Sequence, residues 1–396
     1  MLDLHGGKAP TRREALDLIL TRIKRTPARE TVPADDALGR TCACDVFSVH
    51  DLPVVRASSM DGIGVDSSMF AAGAPDASLW KEGREYARAD TGDDFDDRFD
   101  AVIPIEAVGF LPDGGISLAA DLRVTPGLNV RPGGSSVKKG ERLVAAGTVL
   151  RPFDLAALVL GGHTCVEVVR KPVVAFIPTG NELVPPGMAP TRGRTPDSNS
   201  IMVKHMLLEM GAAPLCFPIV RDEPEALRAA IGRAAEAAEI VLVCGGSSKG
   251  GEDFGARLLF EMGEKLFHWI ASAPGRPTAA AMLGDVPAIN VPGPPVAAYF
   301  VVDWCVRALV AHLLGRPAHV RKTARALLPD GLDAAEGMEL LRKLDLQKAG
   351  ALYEARVINM RASSTIRSLT ASAQLVTDAG PAGAEPGDSV TIELLR

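Results

Sequence analysis

Apolar positions fall into two textures along the chain. Between 170 and 314 they form short continuous runs separated by helical stripes, whereas elsewhere most come as pairs split by Gly, Pro and Asp. Val173-Val174-Ala175-Phe176-Ile177 and Ile240-Val241-Leu242-Val243-Cys244 are rich in β-branched residues and end at turn signals. Such runs predict strands buried on both faces of a parallel sheet. Asp197-Ser198-Asn199-Ser200 opens a helix carrying Met202, Met206, Leu207 and Met210, with Gly211 placed to close it. Residues 213–220 predict a strand, and Pro224, behind an acidic turn, starts the next helix. A helix over 253–263, a strand over 288–292 and a long helix from Val296 follow. This alternation predicts a mostly parallel, doubly wound α/β domain covered on both faces.

The flanking regions read differently. Ala15, Leu16, Leu18, Ile19, Leu20 and Ile23 make one apolar stripe, ended by Pro27 and Pro33. Residues 152–161 are again helical, so 142–169 is expected to pack beside that first helix. The expected organisation is therefore a helical part from 1–45 and 142–169, with a small β-rich domain, 46–141, inserted in it. The α/β domain spans 170–314, and 315–396, with alternating runs punctuated by Gly380-Pro381 and Pro386-Gly387, predicts a small β-barrel.

Composition narrows the function. At 396 residues the chain is long enough for several cores. A formal charge of -6 and an aromatic content of 5% argue against nucleic acid as a partner. The six cysteines are scattered without a C-x-x-C pair, which favours reduced thiols and a cytoplasmic protein. The greasiest segment, 296–314, contains Asp303 and Arg307 at a spacing that pairs them on one helix face. That is a core or interface helix, and no membrane partner is expected.

Candidate chemistry gathers where two strands end. Pro178-Thr179-Gly180-Asn181-Glu182 offers a hydroxyl, a flexible glycine, an amide and a carboxylate, and Gly245-Gly246-Ser247-Ser248 follows the second strand. In an open α/β sheet ligands bind at the carboxyl ends of strands, so the two predict one shared phosphate-binding edge. No G-x-G-x-x-G or Walker A pattern accompanies them. Elsewhere, Asp61-Gly62 has the grammar of a hairpin turn, and the acidic run after Thr91-Gly92 that of a solvated loop. Ser198 and Asn199 suit helix caps as well as ligand contacts, and Asp222 suits a helix N-terminal acid.

Eight pieces in register carry a resemblance. Ala37-Leu38-Gly39-Arg40, Ser59-Met60-Asp61-Gly62, Thr91-Gly92, Asn129-Val130-Arg131, Thr179-Gly180-Asn181-Glu182-Leu183, Asp197-Ser198-Asn199, Gly245-Gly246-Ser247-Ser248 and Pro292-Gly293-Pro294-Pro295 occur in family order. From about residue 12 onward the chain resembles the MoeA-type molybdopterin molybdenumtransferases, the family of the gephyrin E domain. The resemblance implies a homodimer of four-domain subunits with a MogA-like α/β domain. It implies a reaction of adenylylated molybdopterin (molybdopterin-AMP) with molybdate, assisted by Mg2+, that yields molybdenum cofactor and AMP. Other molybdenum-cofactor biosynthesis proteins would be partners. Asp61, Glu182, Asp222 and Asp253 match the family's active-site acids, with Asp222 and Asp253 as metal ligands. Thr91, Thr179, Gly180, Ser198, Asn199, Gly245, Gly246, Ser247, Ser248, Lys249, Arg276, Pro292, Gly293 and Pro295 would hold the pterin nucleotide and oxyanion.

The motifs also depart from the family. Ala273 and Arg276 stand where lysines are usual, Pro294 where an asparagine is usual, Asn181 for an aspartate and Ser135-Ser136 for an acidic pair. Lys249 replaces a valine in the Gly-Ser loop, a candidate relocated cation. These changes keep a second reading open: a non-catalytic paralogue that binds molybdopterin or finished cofactor as a carrier, scaffold or regulator.

Overall fold

The computed structural model describes residues 9–24, 27–112, 114–245, 254–333, 337–350, 352–359, 365–377 and 383–395. The chain divides into a larger unit, 1–28 with 169–396, and a smaller unit, 29–168.

The larger unit is built on a six-stranded sheet in the order Ala213–Cys216, Val173–Pro178, Ile240–Cys244, Val286–Val291, Ala279–Leu283, Glu264–His268. The first four strands run parallel, and each of the remaining neighbour pairs is antiparallel. The continuous apolar runs are explained by burial on both faces. Val174, Ala175, Phe176, Ile177, Val241, Leu242 and Val243 have no exposed surface. One face takes Leu227 and Ile231 from the Pro224–Ala237 helix and Leu258 and Leu259 from the Phe254–Met262 helix. The Asn199–Met210 helix ends where expected, at Gly211 with φ 87°, a left-handed conformation that glycine adopts without a Cβ penalty. The predicted strand over 213–220 is shorter, ending at Cys216, and the Ala279–Leu283 strand and the Glu264–His268 edge strand went unforeseen.

A closed five-stranded barrel follows. Its strands pair in the order Glu339–Ala349, Leu352–Val357, Thr323–Leu328, Asp388–Leu394, Ala373–Thr377, and the last returns to Glu339–Ala349. Ala326, Leu328, Leu344, Ala355, Ala373 and Ile392 fill it. The stretch Pro295–Leu313, mostly buried, is the one described helix long and apolar enough to cross a membrane by composition. Asp303 and Arg307 pair on it at 3.0 Å, as their spacing predicted.

The first helix, Arg12–Leu20, carries a complete capping box from Thr11 and Glu14. It packs against Glu264–His268 and the long helix and so belongs to the larger unit, whereas residues 142–168, expected to share its domain, belong to the smaller one. Arg12 anchors it to Glu339 on the barrel at 3.1 Å.

The described residues of the smaller unit form three separate cores. Ala37, Cys42, Val46, Val144, Leu150 and Leu158 make one, around the Pro152–Leu160 helix. Ile63, Val65, Phe70, Trp80, Tyr86 and Ile103 make the second, on the three strands Gly62–Val65, Tyr86–Ala89 and Ala101–Pro104, and Ala89, Phe95, Phe99 and Val102 make the third.

Candidate functional site

The carboxyl ends of the Val173–Pro178 and Ile240–Cys244 strands lie side by side, because Pro178 and Cys244 are register partners. Thr179, 1% exposed, continues that pairing: its N–H donates to the Cys244 carbonyl at 2.9 Å. Its hydroxyl donates to Asp222 Oδ1 at 3.0 Å, and the Asn181 N–H reaches Asp222 Oδ2 at 3.3 Å. Asp222 thus fastens the Thr-Gly-Asn turn to the start of the next helix, and neither of its oxygens is left without a donor. Gly245 follows Cys244 at φ 113°, and any Cβ there would collide with the Thr179 carbonyl oxygen. Only glycine lets the two strand ends approach this closely.

Two clefts open on this edge. The smaller, about 360 Å3, is lined by Thr179, Glu182, Asp197, Ser198, Asn199 and Gly245 together with Gly293, Pro294 and Pro295. It therefore receives the N-terminal ends of two helices, Asn199–Met210 and the long helix that starts at Pro295. Helix N-termini favour negative charge because their first N–H groups lack intrahelical partners. Ser198, the residue before the Asn199–Met210 helix, spends no side-chain hydrogen bond on a cap. Asn199 Nδ2 donates to the Gly293 carbonyl at 2.7 Å and to Cys244 Sγ at 3.3 Å. That fixes the amide and leaves its Oδ1 buried with no partner among the described residues. A buried acceptor without a donor suits a ligand N–H or a water.

The larger cleft, about 790 Å3, shares Leu183 and Asp197 with the first. Asn181, Arg194, Phe217 and Arg221 line it, and Arg194 holds the Asn181 carbonyl at 2.7 Å. Cys244 is no nucleophile: burial pushes its thiol up to about 12, with the Asn199 hydrogen bond working against that rise.

Asp61 and Thr91 lie in the smaller unit and touch each other. Asp61 Oδ1 accepts the Thr91 N–H at 2.7 Å, and this bond holds the carboxyl below its usual range. The expected residues therefore separate into groups. Thr179, Glu182, Ser198, Asn199, Gly245, Gly293 and Pro295 share the smaller cleft, and Gly180 lines the larger. Asp222 lies behind them as a fastener. The Pro292 carbonyl accepts the Cys244 thiol at 3.7 Å. Arg276 is exposed and stacks on Trp269, 5.2 Å from the ring centroid, without lining either cleft. Ala273 sits in a strand paired with Leu340 of the barrel. Gly246, Ser247, Ser248, Lys249 and Asp253 lie outside the described residues.

Asp197 was not foreseen as a cleft residue. It is 4% exposed, accepts the Ser200 N–H at 3.0 Å and the Ser200 hydroxyl, and lines both clefts. Its helix-start grammar concealed it, since an acid before a helix normally needs only a capping role.

Comparison with known proteins agrees with this architecture. Residues 11–162 match the model of the MoeA N-terminal region (domain I and II), and residues 175–312 match the "Probable molybdopterin binding domain". A molybdopterin molybdenumtransferase of Bacillus subtilis is 28% identical over 387 residues, covering 93% of this chain and 90% of its own. One from Haemophilus influenzae is 29% identical over 315 residues, covering 76% of this chain and 77% of its own. Among solved structures, a molybdopterin biosynthesis MoeA protein of Pyrococcus horikoshii superposes with a TM-score of 0.80 at 27% identity. It covers 98% of this chain and 100% of that one.

Proposed function

Since the chain belongs to the MoeA family of molybdopterin molybdenumtransferases and is an enzyme of molybdenum cofactor biosynthesis, we propose that it inserts molybdate into adenylylated molybdopterin with release of AMP. One observation carries this reading. The starts of two helices and the Gly245 close approach meet on one cleft at the carboxyl edge of the sheet. That combination suits a substrate with phosphoryl and oxyanion charge.

In this reading the helix start at Ser198 and the backbone at Gly245 hold the negative charge. The Asn199 Oδ1 takes an N–H of the ligand. Asp222 acts through Thr179 and Asn181 by fixing the turn that floors the cleft, which makes it a positioning residue. A metal fits the described residues poorly. They contain no group of three or more His, Cys, Asp or Glu side chains able to hold one, and the Asp222 oxygens already accept hydrogen bonds. The steps assigned here are those of the chain's own groups. A homodimer located in the cytoplasm is part of the same proposal.

The test is anaerobic incubation of the protein with adenylylated molybdopterin and molybdate, following AMP release and reconstitution of an apo-molybdoenzyme. Wild type should do both. Asn199→Ala should weaken pterin-nucleotide binding by about tenfold, the size of one lost hydrogen bond in a closed site. Tight binding without AMP release would instead establish the carrier reading, which Pro294 favours by offering no side-chain donor at the cleft.

A further inference from the structure

A third cavity lies away from the sheet edge, where the long helix meets the barrel. It measures about 260 Å3 and is walled by the Arg12–Leu20 helix, the long helix, residues 318–321 and barrel strands. The helix changes character here. Val302–Val306 forms a π-helical turn between the α-helical stretches Pro295–Val301 and Arg307–Leu313. Such turns are rare and concentrate at functional sites.

Three features of the wall point to one ligand chemistry. First, Trp304 lines the cavity, and its Nε1 is buried without a hydrogen-bond partner among the described residues. A buried indole N–H normally finds an acceptor. Second, Arg12, Arg307 and Arg321 all reach the cavity. Asp303 accepts from Arg307 at 3.0 Å and also pairs with Arg321, while Glu393 lies 3.7 Å from Arg321. Glu339 also takes Arg12 at 3.1 Å and Glu209 lies 3.4 Å from Arg307, so the positive field is local to the neighbourhood of His319 and Arg321. His319, also on the wall, is held below its ordinary range first by burial and then by Arg307 and Arg321, which outweigh Asp303 and Glu209. Third, Leu16, Phe300, Leu341 and Val376 supply an apolar side.

We propose that this cavity is a binding site for a small organic carboxylate, its apolar body against Phe300 and Leu341 and its oxygens toward Trp304 Nε1 and Arg321. The volume lies just under the range of pockets that take drug-sized molecules, so the ligand is a compact acid. A guanidinium has five N–H donors, and the contacts of Arg321 to Asp303 and Glu393 do not exhaust them. An inorganic oxyanion would satisfy the donors but leave the apolar wall against water. The site is independent of the clefts at the sheet edge, and it touches the first helix, the α/β part and the barrel together. Occupancy should therefore stabilise that junction.

The experiment uses the whole protein with benzoate as the probe, and benzamide and inorganic phosphate as the neutral and non-apolar comparisons. Calorimetry at constant pH and ionic strength should show one saturable benzoate site, bound at least about tenfold more tightly than either comparison. Benzoate should also raise the melting temperature. Trp304→Phe keeps the aromatic volume and removes the donor. It should weaken benzoate by about tenfold while leaving the ligand-free melting temperature unchanged or higher, because an unpaired donor has gone. Ala308→Leu should fill the cavity and abolish binding. Absence of saturable binding would overturn the proposal and leave the cavity as hydrated junction. Equal affinity for benzamide, or full affinity in Trp304→Phe, would overturn it as well.

Discussion

The larger and smaller units solve the same problem by different means. In the larger unit the central strands are continuous apolar runs, buried on both faces, and helices supply the rest of the core. The three-stranded sheet of the smaller unit has strands of only four residues, the unit's apolar residues are divided among three small cores, and polar side chains stitch its loops together. Arg56 is the clearest stitch. Its guanidinium donates to the carbonyls of Phe99, Phe95 and Asp96 at 2.5, 3.2 and 2.9 Å and lies 4.4 Å from the Phe95 ring centroid. Asp100 does similar work, accepting the Ser67 N–H and hydroxyl, each at 2.7 Å. His50 and His163 each engage a distant carbonyl, Leu160 and Phe47, at 2.8 and 2.7 Å. Where strands are long, burial specifies the backbone; where they are short, side-chain hydrogen bonds to the backbone do.

The sharpest test of that contrast lies in the larger sheet. Phe176 is fully buried in the second strand of the sheet order. Phe176→Ala should cost about 3–5 kcal/mol, combining lost transfer energy with a cavity. Denaturant unfolding measures it, and a loss below about 1 kcal/mol would mean the sheet is not held by burial.

Polar stitching makes the opposite demand. Arg56→Met keeps much of the length and apolar stem but removes every donor. It should cost roughly 2–4 kcal/mol, because carbonyls of three residues lose a charged partner at once. Arg56→Lys should recover only part of the loss, since an ammonium lacks the planar fork that spans three carbonyls. Full recovery with lysine would show that charge alone matters there, and the geometric account of the smaller unit would fail. Hydrogen exchange of amides around residues 95–100 should rise in both variants.

The same contrast explains what the sequence disclosed. The strands at Val173 and Ile240, the Gly211 helix end and the Asp303–Arg307 pair were legible because each rests on a local or periodic signal. The Ala279–Leu283 strand was not, because an alanine-rich run lacks β-branched character and is fixed by its neighbours Val286–Val291 and Glu264–His268. The candidate site was legible at its backbone. Thr179 and Gly245 announce themselves as strand-end residues. Asp197 and Arg194 reach the clefts only through tertiary placement, and Ala273, weighed as a lost cation, proves to be part of a strand beside the barrel. Arg56 carried no sequence signal at all, since its partners are carbonyls roughly forty residues away.

One residue of the larger unit breaks its own rule. Lys343 is 1% exposed, on a barrel strand, with Nζ 3.6 Å from the Tyr299 ring centroid and 3.5 Å from Gln374 Oε1. Burial pulls its pKa down to about 7; Asp303 and Glu393 oppose that, and Arg321 adds to it. The unfolded lysine keeps its proton to about pH 10.4. Between those values the unfolded state binds the extra proton, so raising the pH favours folding by at most about 1.4 kcal/mol per pH unit. Below pH 7 the lysine is charged in both states, and its contribution is a constant penalty. Lys343→Met should therefore be more stable than wild type at pH 6, with the advantage shrinking steadily from pH 7 to pH 10. Taking the difference between the two proteins removes the tyrosine and cysteine titrations they share. Urea unfolding at each pH provides the measurement. A difference that stays flat across the window would mean that the Tyr299 ring and Gln374 keep the ammonium charged, and that burial at this junction tolerates a cation after all.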